Sequence, residues 1–480
     1  MKLYHNRVVT CFSLLLIFAF ITTACTLQPP RVKSSGLPQR EYAYQIPEKI
    51  ADEWETSSLE EEGFNSERIV ELIEDILSEN YKNIHSVLLV KNGKLILEEY
   101  FYGYDRHTKH GIMSISKSVT SILIGIAVDN GMIDNVDHKV YKFFPEYENL
   151  NWSDHRAEIR IEHILTMTAG LEFNELQYHH YDSRNSVPGM YRSSDPIKYV
   201  FQQKMLNKPG DKFNYSTGLT LVLGGVIRNT SGLYADTFAE KYLFSPLGIS
   251  EYIWEKHPDG TIQTGGGLRG GLLLKPRDMA KIGQIMLKNG KWNGRQVVSQ
   301  KWIAESTKEH VSDAFAGWSY GYQWLQAKDV VSNIEIEMFF AAGHGGQYIF
   351  VYPSLELIAV FTSKLYNPLG ELQPLGMLKT YILPACMPTA PPVQTSKIDP
   401  VVLDNYVGKY RVVQQTYVID TLVVFSDADR LFCRTPDGEN FELFSTAKNE
   451  FIGTWKGIGN CQLSFVKDRN EKIKHLFINI

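Results

Sequence analysis

Ser114-Ile115-Ser116-Lys117 sets a hydroxyl three residues ahead of an amine at the start of a long apolar run. On a helix, residues three apart share a face, so these two groups can meet. A serine hydroxyl is a poor nucleophile until a neighbouring base takes its proton. A lysine serves as that base when burial or nearby cations favour its neutral form. The run from Val119 to Val128 reads as a buried core helix, which is the desolvated setting such a lysine needs. By itself the four-residue pattern is weak. Ser and Lys are common, and a helix cap followed by a solvated lysine gives the same spacing.

The surrounding segments change that balance. Tyr215-Ser216-Thr217 and then His344-Gly345-Gly346 follow in order, and this succession resembles the serine β-lactamase and penicillin-binding-protein superfamily. Ile161 to Leu171 is similar to that family's ITIRHLLTHTSGL stretch, and Pro209 to Ser216 to its PGxxFxYS approach to the tyrosine. Gly265-Gly266-Gly267-Leu268 with Leu274 to Ala280 resembles its GGLxSTxxDMA segment. The likeness spans most of residues 60–385. It is nearer to the class C-related branch, with its esterases, D-aminopeptidases and nylon-oligomer hydrolases, than to class A. Ser193-Ser194-Asp195 is not the S-D-N element of class A, and Glu172 sits in no deacylating pattern.

The resemblance implies that Ser114 attacks a carbonyl carbon from a helix N-terminus and that water hydrolyses the resulting acyl-enzyme. Lys117 removes the proton, alone or jointly with Tyr215. A phenol titrates near ~10, so Tyr215 acts as a base only beside a cation and otherwise passes a proton to the leaving group. The backbone N–H groups of Ser114 and Gln347 would form the oxyanion hole. His344, Gly346, Thr217, Tyr181 and Trp324 are the candidate substrate contacts. Two departures bear on the substrate. His344 replaces the usual lysine and is expected to be mostly neutral near pH 7. Thr217 replaces an asparagine that holds the substrate amide. Both favour an esterase or amidase over an efficient β-lactamase. A cell-wall D,D-peptidase or D-aminopeptidase, and a non-catalytic binding protein on the same fold, are the alternatives. No cofactor and no metal are expected. His179, His180 and Asp182 lack a third ligand at suitable spacing.

The elements that must position these residues follow from periodicity. Phe64 to Ser78 has helical spacing, with Asn65 or Ser66 as its cap. Ser86 to Val90 and Leu95 to Leu97 flank Asn92-Gly93, a hairpin signal. Helices are expected near Ile159 to Met167 and Leu219 to Thr230, an irregular stretch from Phe173 to Ser194, and strands at Gly321 to Leu325, Tyr348 to Tyr352 and Ile358 to Phe361. This succession predicts an α+β fold: a helical cluster on an antiparallel sheet, matching the β-lactamase/transpeptidase-like domain of the resemblance. It is assigned to residues 56–385, followed by a proline-rich linker at 386–400 and a small all-β domain at 401–480.

Lys2 and Arg7, the apolar stretch from Val8 to Ile21 and Thr22-Thr23-Ala24-Cys25 form a secretory pattern over residues 1–25, with residues 26–55 as a linker. Cys25 is either a lipidation site, giving a membrane tether in the bacterial cell envelope, or lies beside an ordinary cleavage site. The expected location is the envelope, periplasm or exterior. Cys386, Cys433 and Cys461 remain, an odd number, of which Cys433 and Cys461 could pair or stay free. The net charge of −5 gives no electrostatic reason to expect nucleic acid. The resemblance implies a small ester, amide or cell-wall peptide as the partner.

Overall fold

A computed structural model describes residues 42–479, apart from residues 179–181, 316, 332–333, 368–369, 388–402, 415–416, 437, 456–458 and 468–472. The secretory pattern with Cys25, the residues His179, His180 and Tyr181, and most of the proline-rich linker lie outside the described residues.

The Asn92-Gly93 signal forms its hairpin. Ile84–Lys91 pairs antiparallel with Lys94–Tyr100, and both turn residues take positive φ, 52° and 81°. This hairpin belongs to a nine-stranded sheet. Its order is Glu55–Thr56, Lys94–Tyr100, Ile84–Lys91, Leu357–Ser363, Gln347–Tyr352, Ile334–Gly343, Leu325–Val331, Trp318–Tyr320 and Val311–Phe315. The pairing of Glu55–Thr56 with Lys94–Tyr100 is parallel and the other pairings are antiparallel. Alternate residues of the central strands enter two different cores. Leu88, Val90, Ile358 and Val360 face one, and Val87, Leu89, Ala359 and Phe361 face the other. A sheet buried on both sides explains why these strands read as continuous apolar runs.

On the first face lie the helices Ile115–Asp129, Thr217–Ser231 and Pro276–Leu287. On the second lie Ser66–Leu77 and the helical stretch from Gln373 to Cys386. Ser66–Leu77 buries Ile69, Leu72, Ile73 and Ile76, and Asn65 caps it by accepting from the Arg68 N–H at 3.2 Å. Such a cap contributes about 1 kcal/mol.

Three expectations need correction. Residues 42–55 are not a linker but part of this domain. Trp54 is 1% exposed, Tyr42 Oη donates to Glu99 at 2.7 Å, and Arg277 clamps Asp52 and Glu98 at 2.9 and 2.8 Å. Gly321 to Trp324 is a turn, with Gln323 at φ 61°, and the strand begins only at Leu325. The stretch from Phe173 to Ser194 contains a short helix, Ser186–Arg192, capped by Asn185.

The C-terminal part is a seven-stranded antiparallel sheet whose strands follow chain order from Gly408–Gln414 to Ile473–Asn479. Cys433 and Cys461 lie buried in its core as free thiols, each pushed up to about 12 by burial.

Candidate active site

Ser114 is the cap of the fifteen-residue helix Ile115–Asp129. The preceding residue, Met113, sits in the left-handed region at φ 52°, a conformation that costs a non-glycine residue roughly 1–2 kcal/mol. It is held there by a bond from its N–H to the Gly270 carbonyl at 2.8 Å. Among the described residues, no backbone carbonyl accepts from the Ser114 N–H. The helix N-terminus adds a partial positive charge at the same point.

Lys117 lies one turn into this helix and is 2% exposed. Its Nζ is 2.9 Å from Ser114 Oγ and 3.0 Å from Thr217 Oγ1, and it also meets the Gly265 carbonyl oxygen. The Tyr215 ring centroid is 4.8 Å from the same nitrogen. The structure therefore brings Tyr215 to Ser114 and Lys117, from which it is about a hundred residues distant in the chain. Beside Tyr215 is an aromatic wall: Phe315 lies 5.4 Å from Tyr215 and 5.2 Å from Phe213 between ring centroids.

The glycine segment allows this closeness. A Cβ on Gly265 would overlap the Thr217 carbonyl, and one on Gly266 would stand 3.7 Å from the Ser114 nitrogen. This is the close backbone approach expected of the glycine run.

The third motif is a hairpin turn between Ile334–Gly343 and Gln347–Tyr352. A Cβ on Gly343 would overlap the Ile112 carbonyl, so the end of that strand is laid against the residues leading into Ser114. Gly346 has no room for a side chain against Ser363 and Leu365. Gln347 is buried, and its amide braces Ser363, with Nε2 donating to the carbonyl at 2.7 Å and Oε1 accepting from the N–H at 3.1 Å. His344 is half exposed, with its Nδ1 2.5 Å from Glu371 Oε1. The same carboxylate oxygen accepts from the Gly345 N–H at 2.8 Å. Glu371 raises His344 above the ordinary imidazole range, against the opposing effect of burial. The expectation for His344 left out this carboxylate partner, which is distant in sequence and favours the charged form.

Two candidate substrate contacts are placed elsewhere. Trp324 is fully buried and packs edge-on against Phe339, so it belongs to the core. Thr217 is 5% exposed and turns inward. Its Oγ1 donates to Glu175 Oε1 and its N–H to Glu175 Oε2, both at 2.6 Å. Asp182 is tied to Arg184 at 2.6 Å.

Glu175 and Glu371 are the residues that motif reading missed. Glu175 lies four residues beyond Leu171, between Asn174 and Leu176, with nothing local to mark it. Its partner is 42 residues away, so periodicity carries no trace of the pair. A cavity of about 770 Å³, lined by Phe144, Tyr147, Asp195, Arg228 and Tyr234 among others, lies against the second half of the Thr217–Ser231 helix. None of Ser114, Lys117 and Tyr215 lines it.

Comparison with known proteins bears on the fold and the family. The 6-aminohexanoate-dimer hydrolase of Paenarthrobacter ureafaciens is 28% identical over 307 residues, covering 58% of this chain and 72% of that protein. The octameric penicillin-binding protein homologue from Pyrococcus abyssi shares the fold with a TM-score of 0.54 at 19% identity, over 86% of this chain and 99% of that one. EstCE1, described as a hydrolase with promiscuous acyltransferase activity, shares it with a TM-score of 0.52 at 16% identity, over 62% of this chain and 93% of that one. The beta-lactamase family model matches residues 84–380, which is more than half of the chain. With Ser114 against Lys117 in the matching fold, this chain belongs to the beta-lactamase family of serine hydrolases.

Proposed function

We propose that this protein cleaves an ester or amide bond through an acyl-enzyme on Ser114, and that it is an esterase or amidase rather than an efficient β-lactamase. The observation that carries the reading is the 2.9 Å contact between Ser114 Oγ and the buried Lys117 Nζ at a helix N-terminus. Lys117 takes the serine proton, and Ser114 attacks the carbonyl carbon. The N–H groups of Ser114 and Gln347 donate to the developing oxyanion, and each such donor typically contributes about 3 kcal/mol to the transition state. Tyr215, beside the same amine, passes the proton on to the leaving group. Water then releases the acyl group.

The substrate class follows from what faces the site. Thr217 is occupied by Lys117 and Glu175 and offers no amide to an acylamido substrate. His344 is held against the Glu371 carboxylate, so a substrate carboxylate meets no unpaired cation there in either protonation state. The aromatic wall of Phe213 and Phe315 suits an apolar acyl or alcohol group. A relative named for hydrolysing an amide dimer is consistent with such a site.

The test is turnover of p-nitrophenyl butyrate and of nitrocefin by the wild type and Ser114→Ala. Ester hydrolysis lost in the variant, with nitrocefin nearly inert, is the expected result. Rapid nitrocefin turnover would refute the substrate assignment, and unchanged ester turnover in Ser114→Ala would refute the nucleophile.

A further inference from the structure

We propose that Glu175 is a positioning residue which, through the hydroxyl of Thr217, fixes the direction in which the Lys117 amine presents its lone pair to Ser114. This deepens the reading of Ser114 and Lys117 as nucleophile and base, and rests on it.

The argument is an inventory of protons. An ionised carboxylate only accepts hydrogen bonds. Glu175 Oε2 accepts the Thr217 N–H, whose direction is set by the start of the Thr217–Ser231 helix. Glu175 Oε1 lies 2.6 Å from Thr217 Oγ1, so the single hydroxyl proton points at the carboxylate. Toward Lys117, 3.0 Å away, Thr217 Oγ1 then has only lone pairs. The Gly265 carbonyl, the second partner of the amine, is also an acceptor alone.

Two N–H bonds of Lys117 are therefore committed. A neutral amine has two N–H bonds and one lone pair. The remaining tetrahedral direction faces Ser114 Oγ at 2.9 Å, so the lone pair occupies it. When the serine O–H bond breaks, its proton forms the third N–H bond along that same direction. The electron pair left on Oγ goes to the substrate carbonyl carbon. The amine need not rotate, so the transfer requires no rearrangement of the site.

Burial keeps the arrangement in place. Lys117, Thr217 and Glu175 are 2%, 5% and 9% exposed, so water does not compete for these bonds. The carboxylate also offsets the ammonium charge that appears when the proton is transferred. A hydroxyl suits this role because it reports the carboxylate's preference to the amine without contributing a preference of its own.

The experiment compares Glu175→Gln, Thr217→Val, Thr217→Ser and Lys117→Ala on p-nitrophenyl butyrate across pH, with thermal melts to confirm folding. In Glu175→Gln the one remaining carbonyl oxygen serves the Thr217 N–H. The new amide NH2 then faces Thr217 Oγ1 and turns its proton toward Lys117. The expected loss is roughly 10- to 100-fold in kcat with KM little changed. Thr217→Val shows a similar fall in kcat, and Thr217→Ser retains activity near that of the wild type.

Wild-type kcat and pH profile in both Glu175→Gln and Thr217→Val, with Lys117→Ala inactive, would overturn the relay and leave the hydrolase reading standing. An equal loss of kcat in Thr217→Ser and Thr217→Val would reduce Glu175 and Thr217 to a structural role and also overturn it. Full activity in Lys117→Ala would remove Lys117 as the base on which this inference rests, and loss of activity in Ser114→Ala would still leave the nucleophile in place.

Discussion

Glu175 reaches Lys117 only through the hydroxyl of Thr217, whereas Glu371 meets His344 directly. The first arrangement is buried and the second is half open to solvent. The relayed contact leaves one direction of the amine for Ser114, as a base requires. The direct contact spends a nitrogen of the imidazole on the carboxylate and favours the charged ring, which shapes the turn at Gly345 more than it prepares a proton transfer. A carboxylate near a basic group therefore says little about its role until the intervening atoms are known.

Substitution at the two basic residues gives the widest separation. Lys117→Ala is expected to lower kcat on p-nitrophenyl butyrate by about a thousandfold, within the usual range for a general base. His344→Ala is expected to lower it by less than about tenfold, as for a residue that positions a turn and the edge of the site. Equal losses would erase the distinction.

Glu371→Gln gives a smaller effect with a definite sign. His344 is raised in the folded protein by Glu371, so the pair's contribution to stability is fully present below the unfolded histidine value near ~6.5 and is lost as pH rises through the higher folded value. The difference in stability between wild type and Glu371→Gln should therefore be largest on the acid side, while Glu371 is still ionised, and vanish in alkali. It should not exceed about 1 kcal/mol, because the pair is solvated. The His344 titration midpoint, followed by NMR, should fall in the variant. An unmoved midpoint would show that the pair does not set the charge of His344.

The same contrast between local and relayed information governs what the sequence revealed. The Asn92-Gly93 hairpin and the helices Ser66–Leu77 and Ile115–Asp129 were legible because turn chemistry and periodicity act over a few residues. Ser114, Lys117 and Tyr215 were legible because their motifs are compact. Gly321 to Trp324 read as a strand from its aromatic content, yet the left-handed Gln323 makes it a turn. Residues 42–55 read as a linker because their anchor, Arg277, lies more than two hundred residues away. Trp324 was assigned to the substrate on residue type and Thr217 on its place in the second motif, while their partners Phe339, Glu175 and Lys117 are set by tertiary packing. Glu175 was invisible for the same reason.

The central claim is that the Ser114 oxygen, activated by Lys117, becomes acylated. Its most direct test is labelling of the wild type with a fluorophosphonate, followed by peptide mass spectrometry. The account predicts one adduct per chain, on the peptide carrying Ser114, absent in Ser114→Ala and formed far more slowly in Lys117→Ala. An adduct on another residue, or equal labelling of Ser114→Ala, would contradict it.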